Sequence, residues 1–261
     1  MSSYKQVFLS GKVALIPFFV LGDPDEQTCL EIIGAAIDAG ADILELGIPF
    51  SDPIADGPTI QKADIRALRA GMTPQKALTL ISRIEERWDI PIGLLVYYNL
   101  VWHFGPEAFY KQAAKAGVNS VLIADLSIDD ADEVYPLARS AGLDTVFMVS
   151  PNSSDERIRL VAQKTTGFIY AVSVLGVTGA RDTLSQSAID IITRTKRVTT
   201  VPVCLGFGIS RPEHAAAAAA VGADGVIVGS KLVGLVEQNL SDKGQIVRSV
   251  RQLILQFRSA L

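Results

Sequence analysis

The stretch "LELGIPFSDPIADGP", residues 44–58, sets a glutamate inside an apolar run and two aspartates just beyond it, among three prolines. Carboxylates do acid–base chemistry, and burial moves their proton affinity toward neutrality. As a strand, the run turns Leu44, Leu46 and Ile48 to one side and Ile43, Glu45 and Gly47 to the other. The leucines suit a helix layer, which leaves Glu45 pointing inward. A purely structural glutamate would need a basic partner, yet no Arg or Lys lies in any strand segment. Burying it unpaired is costly and raises its pKa, which favours a catalytic group over a fixture. Asp52 and Asp56 can also serve turn and cap chemistry. The residues alone do not say which of the two reaches a site, although Pro53 restricts the loop that carries them.

A second constellation could hold an anion. "CLGFGIS", 204–210, runs a strand into Gly206 and Gly208, and "VIVGS", 226–230, ends a strand at Gly229 and Ser230 before a helix. Glycine lets backbone N–H groups approach an anion, and a helix N-terminus adds more of them. Plain tight turns are the alternative. A third stretch, "LGVTGARDTLSQ" at 175–186, is either an ordinary long loop or a lid. The two histidines, His103 and His214, have no neighbour at metal-ligand spacing, so no metal site is expected. No strand carries a lysine for Schiff-base chemistry, and neither a dinucleotide fingerprint nor a P-loop is present. Carboxylate acid–base chemistry on a phosphorylated small molecule remains, with a tyrosine as possible helper.

The elements that must position these residues alternate. Short apolar runs at 13–20, 43–48, 92–98, 120–125, 144–150, 168–174, 202–207 and 225–229 read as strands. Amphipathic stretches at 25–38, 75–87, 106–115, 129–140, 154–164, 185–195, 211–220, 231–239 and 244–259 read as helices. The turns entering several strands repeat as Ala39-Gly-Ala-Asp42, Ala116-Gly-Val-Asn119, Ala141-Gly-Leu-Asp144 and Val221-Gly-Ala-Asp224. Each glycine can end its helix in a left-handed conformation. Strand–helix alternation predicts a parallel sheet. Eight strands in one uniform series favour a closed (β/α)₈ TIM barrel, with an open doubly wound sheet as the rival. No linker divides residues 1–261, so one domain is expected. In such a barrel the chemistry lies at the carboxyl ends of the strands, with a phosphate commonly after strands 7 and 8.

Composition bounds the partners. Of 261 residues, 49% are hydrophobic, and the net charge of −4 is scattered without a basic run, which argues against nucleic acid. Cys29 and Cys204 lie far apart in apolar segments and read as reduced thiols of a cytoplasmic protein. No signal-peptide pattern or membrane-spanning run is present. A plastid location would require a transit peptide already removed.

"LELGIPFSDPIADGPTIQ" closely resembles the signature of the tryptophan synthase α-subunit family. The resemblance continues through "PFFVLGDP" (17–24), "GLLVYYNLV" (93–101), "FIYAVSVLGVTGAR" (168–181), "GFGIS" and "GVIVGS". It implies a barrel that splits indole-3-glycerol phosphate into indole and glyceraldehyde 3-phosphate without a cofactor of its own. Indole would pass to a separate β subunit carrying pyridoxal phosphate, in an α₂β₂ complex. It implies Glu45 as the acid–base group, Asp56 as acceptor of the indole N–H and Tyr170 as the active-site tyrosine, and it leaves Asp52 to shape the loop. It implies phosphate binding at Gly179, Gly208, Gly229 and Ser230, and an indole pocket of Phe18, Ile60, Leu95, Tyr97, Leu122, Ala124 and Phe207. Leu95 and Leu122 could equally be plain barrel core. Thr178 would hold the closed lid. Ser127, Val174 and Leu175 depart from the family pattern near the lid and partner contacts, and the amino terminus is short. A stand-alone lyase releasing free indole, a non-catalytic activator of a β subunit and a sugar-phosphate isomerase are the other possibilities.

Overall fold

Short apolar runs become strands where both faces are covered. All seven residues of β1 (Ala14–Val20) are buried, as are all four of β2 (Leu44–Gly47) and all five of β3 (Ile92–Val96). The computed structural model describes residues 3–173 and 184–261. The series continues with β4 (Ser120–Ile123), β5 (Asp144–Thr145), β6 (Phe147–Val149), β7 (Ile169–Val172), β8 (Val203–Gly206) and β9 (Gly225–Val228). Every pairing is parallel, in the order β5-β4-β3-β2-β1-β9-β8-β7-β6. β5 and β6 flank Val146 in one continuous stretch. The first pairs with β4 and the second with β7, so the two ends of the ladder meet there. Nine segments, two of them sharing one position, make the eight positions of a closed (β/α)₈ barrel.

The repeated turns work as tacks. Gly40, Gly117, Gly142 and Gly222 all have positive φ, between 77° and 106°, and end their helices in the left-handed region. The acidic or amide residue two places on reaches across to a neighbouring strand. Asp42 accepts from Leu15 N at 2.8 Å, Asn119 from Ile92 N at 2.7 Å and Asp224 from Val203 N at 2.7 Å. Each fixes the start of a strand and so its register, and a one-residue slip would turn Glu45 out of the barrel.

Four elements differ from the sequence expectation. Pro58–Arg69 is a helix with Pro58 in its first turn. Tyr98–Phe104, expected as the tail of a strand and a loop, is a short helix ended by Gly105 at φ 89°. The helix expected over 129–140 is a 3₁₀ turn at Ile128–Glu133 followed by a helix at Tyr135–Ser140, with Pro136 at the start of the second piece. Proline lacks the N–H needed to carry one helix through that point. The short amino terminus is itself a helix, Tyr4–Leu9. Its Tyr4 ring is buried against Phe168, and the Tyr4 hydroxyl lies 2.7 Å from Ser120 Oγ inside the barrel floor. A Cβ on Gly93 would sit 2.6 Å from that hydroxyl, so glycine makes the space.

Helix 58–69 is locked to the barrel by an ion pair. Arg66 donates to Asp23 through Nε at 2.7 Å and Nη2 at 2.8 Å, and the Asp23 carboxylate is almost wholly buried. Removing one partner strands the other charge. Arg66→Ala is therefore expected to lower the unfolding free energy by about 3 kcal/mol, measured by urea denaturation. A loss below about 1 kcal/mol, typical of an exposed pair, would show that the pair does not hold the helix.

Candidate active site

Glu45 is central in β2, opposite Phe18 of β1 and Gly93 of β3. It is 4% exposed, and its Oε2 meets no hydrogen-bond partner among the described residues. An enclosed space of about 10 Å³ beside it, lined also by Tyr4, Ser120, Leu122 and Phe168, holds no more than a single water. Burial, and then the nearby charge of Asp56, push the Glu45 carboxyl up to about 8. At neutral pH it carries a proton, as a general acid must.

Asp56 stands in the loop between β2 and helix 58–69. Tyr97 donates its hydroxyl to Asp56 Oδ2 at 2.6 Å and accepts from Ala55 N at 3.1 Å, so one phenol fixes both carboxylate and loop. Phe50 stacks on the Tyr97 ring at 5.2 Å. Burial raises the Asp56 carboxyl, and the Tyr97 hydroxyl pulls it back. Asp52 is exposed and bonds its neighbour Ser51. The structure thus separates the two aspartates that the residues alone left level: Asp56 is held by Tyr97 and its charge is felt at Glu45, and Asp52 faces solvent.

Tyr170, on β7, points into the barrel. A Cβ on Gly206 would lie 2.3 Å from its hydroxyl, so the β8 glycine makes room for it. Burial first, then the charges of Glu45 and Asp56, push the phenol well above its ordinary value, which keeps it a neutral donor. Its ring meets Phe207 edge-on at 5.9 Å. Phe207 is half exposed and is the one non-glycine residue with positive φ, 61°, among those described. Ser173 Oγ donates to the Phe207 carbonyl. His214 Nδ1 lies 3.1 Å from the Gly208 carbonyl and donates to it in the tautomer that carries its proton there, so the Phe207–Gly208 turn is held from two sides. Gly229 precedes the helix Ser230–Gln238 and supplies no side-chain cap, which leaves first-turn N–H groups for an anion.

The family model for the tryptophan synthase alpha chain matches residues 4–261. The chain belongs to this family. It is 46% identical to the tryptophan synthase alpha chain of Methanothermobacter thermautotrophicus, over 99% of this chain and 96% of that protein. With that of Photobacterium profundum it shares 41%, over 100% and 98%. Among solved structures it is similar to one of the tryptophan synthase a2b2 complex of Pyrococcus furiosus (TM-score 0.89, 38% identity, 94% of this chain and 98% of that one). It is also similar to tryptophan synthase subunit alpha of Legionella pneumophila (TM-score 0.89, 30% identity, 100% and 98%).

Within this alpha-chain barrel, Glu45, Asp56, Tyr97, Tyr170 and Phe207 come together. Phe18, Ile60, Leu95 and Leu122 are buried around them, and Ala124 is half buried past the end of β4. Leu122 lines the enclosed space beside Glu45, as a core residue would. Tyr97 proves more polar in its role than a pocket wall. Thr178, Gly179, Val174 and Leu175, and most of the lid expected at 175–186, lie outside the described residues. Sequence reasoning missed Asp64 and Arg66 on the helix after the loop. Their signal was available: Ile60, Ala63, Asp64 and Ala67 follow the i, i+3, i+4, i+7 spacing of a buried helical stripe, with a carboxylate in one of its places.

Proposed function

We propose that this alpha chain cleaves indole-3-glycerol phosphate to indole and glyceraldehyde 3-phosphate. The observation that carries the reading is Glu45, a proton-bearing acid with an unpartnered oxygen inside the barrel, opposed by the fixed carboxylate of Asp56. Asp56 accepts the indole N–H. Glu45 gives its proton to ring carbon C3, and the positive charge that develops on the ring is balanced by Asp56. Glu45, now a carboxylate, takes the proton of the glycerol hydroxyl next to the scissile bond. The C–C bond breaks, its electron pair returns to the ring, and the aldehyde leaves. The proton count closes on Glu45, so no cofactor is needed. Gly208, Gly229 and Ser230, with Gly179, hold the phosphate, and the apolar residues around Phe18 and Ile60 take the indole.

Indole then passes to a β subunit in an α₂β₂ assembly, as the Pyrococcus furiosus complex among the similar structures suggests. The free, buried cysteines Cys29 and Cys204 fit a cytoplasmic location. The Tyr97–Asp56 bond, already made in the lone chain, favours a second reading in which the chain also turns over without a partner. Indole release measured while a β subunit is titrated in decides between the two. We expect slow release alone and a rise that levels off at equimolar partner, because a partner that binds the competent conformation raises the competent fraction. A fast rate that stays flat would assign a stand-alone lyase. No indole under either condition would reject the activity.

A further inference from the structure

The peptide unit between Phe207 and Gly208 lies just past the carboxyl end of β8. β8 pairs with β9 at Leu205↔Val226, so Gly208 and Gly229 each stand three residues beyond one paired position. That sets Gly208 beside the start of helix 230–238, which has no side-chain cap. Phe207 holds a φ of 61°, a left-handed conformation that costs a residue with a side chain. Ser173 Oγ donates to the Phe207 carbonyl. Ser173 is 2% exposed, and a Cβ on Gly208 would come 3.2 Å from the same hydroxyl. The Ser173 backbone is itself anchored: its N–H donates to the Gly206 carbonyl at 3.3 Å, and its carbonyl accepts from Ser187 Oγ at 3.0 Å. Packing alone calls for an apolar side chain at a place so buried.

A trans peptide is planar, so its C=O and N–H point in opposite directions. A donor that fixes the Phe207 carbonyl therefore fixes the direction of the Gly208 N–H as well. The same bond polarises the peptide unit and strengthens that N–H as a donor. We propose that Ser173 is a positioning residue for the substrate phosphate: its hydroxyl orients the Phe207–Gly208 peptide and so aims the Gly208 N–H at the anion. The proposal rests on the phosphate assignment of Gly208 given above.

Calorimetric titration of the full chain with glycerol 3-phosphate, and separately with indole, tests it. In Ser173→Ala the dissociation constant for glycerol 3-phosphate should rise about tenfold, the weight of one hydrogen bond, while that for indole stays within about twofold. With indole-3-glycerol phosphate, KM should rise by the same factor and kcat stay within about threefold, the pattern of lost uniform binding. Ser173→Cys fills the place with a weaker donor. It should lose less affinity than Ser173→Ala, and it serves in its place if the Ala variant does not fold. Asparagine tolerates the left-handed region, so in a Phe207→Asn background the loss of glycerol 3-phosphate affinity on Ser173→Ala should shrink below about threefold. A purely structural serine would weaken both ligands together and cost the same in both backgrounds. Unchanged glycerol 3-phosphate affinity in the Ser173 variants, a parallel loss of indole affinity, or an undiminished loss in the Phe207→Asn background overturns the proposal. A wild type that binds no glycerol 3-phosphate removes the phosphate assignment and the proposal with it. A wild type that binds it but releases no indole fails the activity alone, and the titrations still decide on Ser173.

Discussion

Glu45→Gln is expected to leave the barrel folded and to lower turnover by about 10²–10⁴-fold, the usual share of general acid–base catalysis. Glutamine matches glutamate in size but cannot deliver a proton to C3 or accept one from the hydroxyl. In the wild type the working form is the acid, so kcat/KM should decline as pH rises past about 8, where Glu45 ionises. The residual activity of the Gln variant should lack that limb as far as Glu45 supplies it. The substitution should affect stability in the opposite sense to turnover. The carboxyl ionises near 4.5 when exposed and near 8 in the barrel, so the folded state binds the extra proton between those values. Stability from this group is complete below the lower value and is lost as pH rises toward the higher one. Glutamine removes that loss, and the variant should melt no lower than the wild type at pH 8. A variant that keeps more than about a tenth of wild-type turnover, above the range for this kind of catalysis, would remove Glu45 from the mechanism.

Asp56→Asn separates charge from hydrogen bonding at one position. The amide oxygen can still accept the indole N–H, so KM should change little. The negative charge opposite the developing cation is gone, and turnover should fall by about 10²–10³-fold, as when one preorganised electrostatic partner is removed. Asp52→Asn should be nearly silent, since Asp52 faces solvent and its side chain bonds only the adjacent Ser51 among the contacts described. Steady-state kinetics of both variants in parallel check the pair. A larger fall for Asp52→Asn than for Asp56→Asn would exchange their roles.

Much of the barrel was legible in the chain because each signal had one physical cause. The apolar runs are strands buried on both faces, and the glycine turns between them had to be left-handed. Glu45 was legible because a carboxylate flanked by leucines has no cheap explanation. The choice between Asp52 and Asp56 was not, because it depends on a contact with Tyr97, 41 residues further on from Asp56. Helix 58–69 escaped because its exposed face is strongly polar and its buried stripe includes Asp64, which blurs the apolar period. The 3₁₀ turn at 128–133 escaped because four of its six residues are acidic, three of them aspartates that cap and turn as readily as they wind. The Phe207–Gly208 turn reads as a glycine motif in sequence, yet its shape is held by Ser173 and His214, from a strand end and a helix that only the fold brings near.

The Tyr4 hydroxyl meets Ser120 across 116 residues of chain. The helix that carries Tyr4 is therefore among the last segments to find its seat, because the floor it closes does not exist until β4 and β7 have paired with their neighbours. Until then the barrel is an open-ended tube, and water can reach Glu45 from below. A glutamate wetted from that side would titrate as an ordinary carboxylate and enter each encounter with its proton already gone. Assembly of the strands thus precedes competence, and seating this one tyrosine completes it.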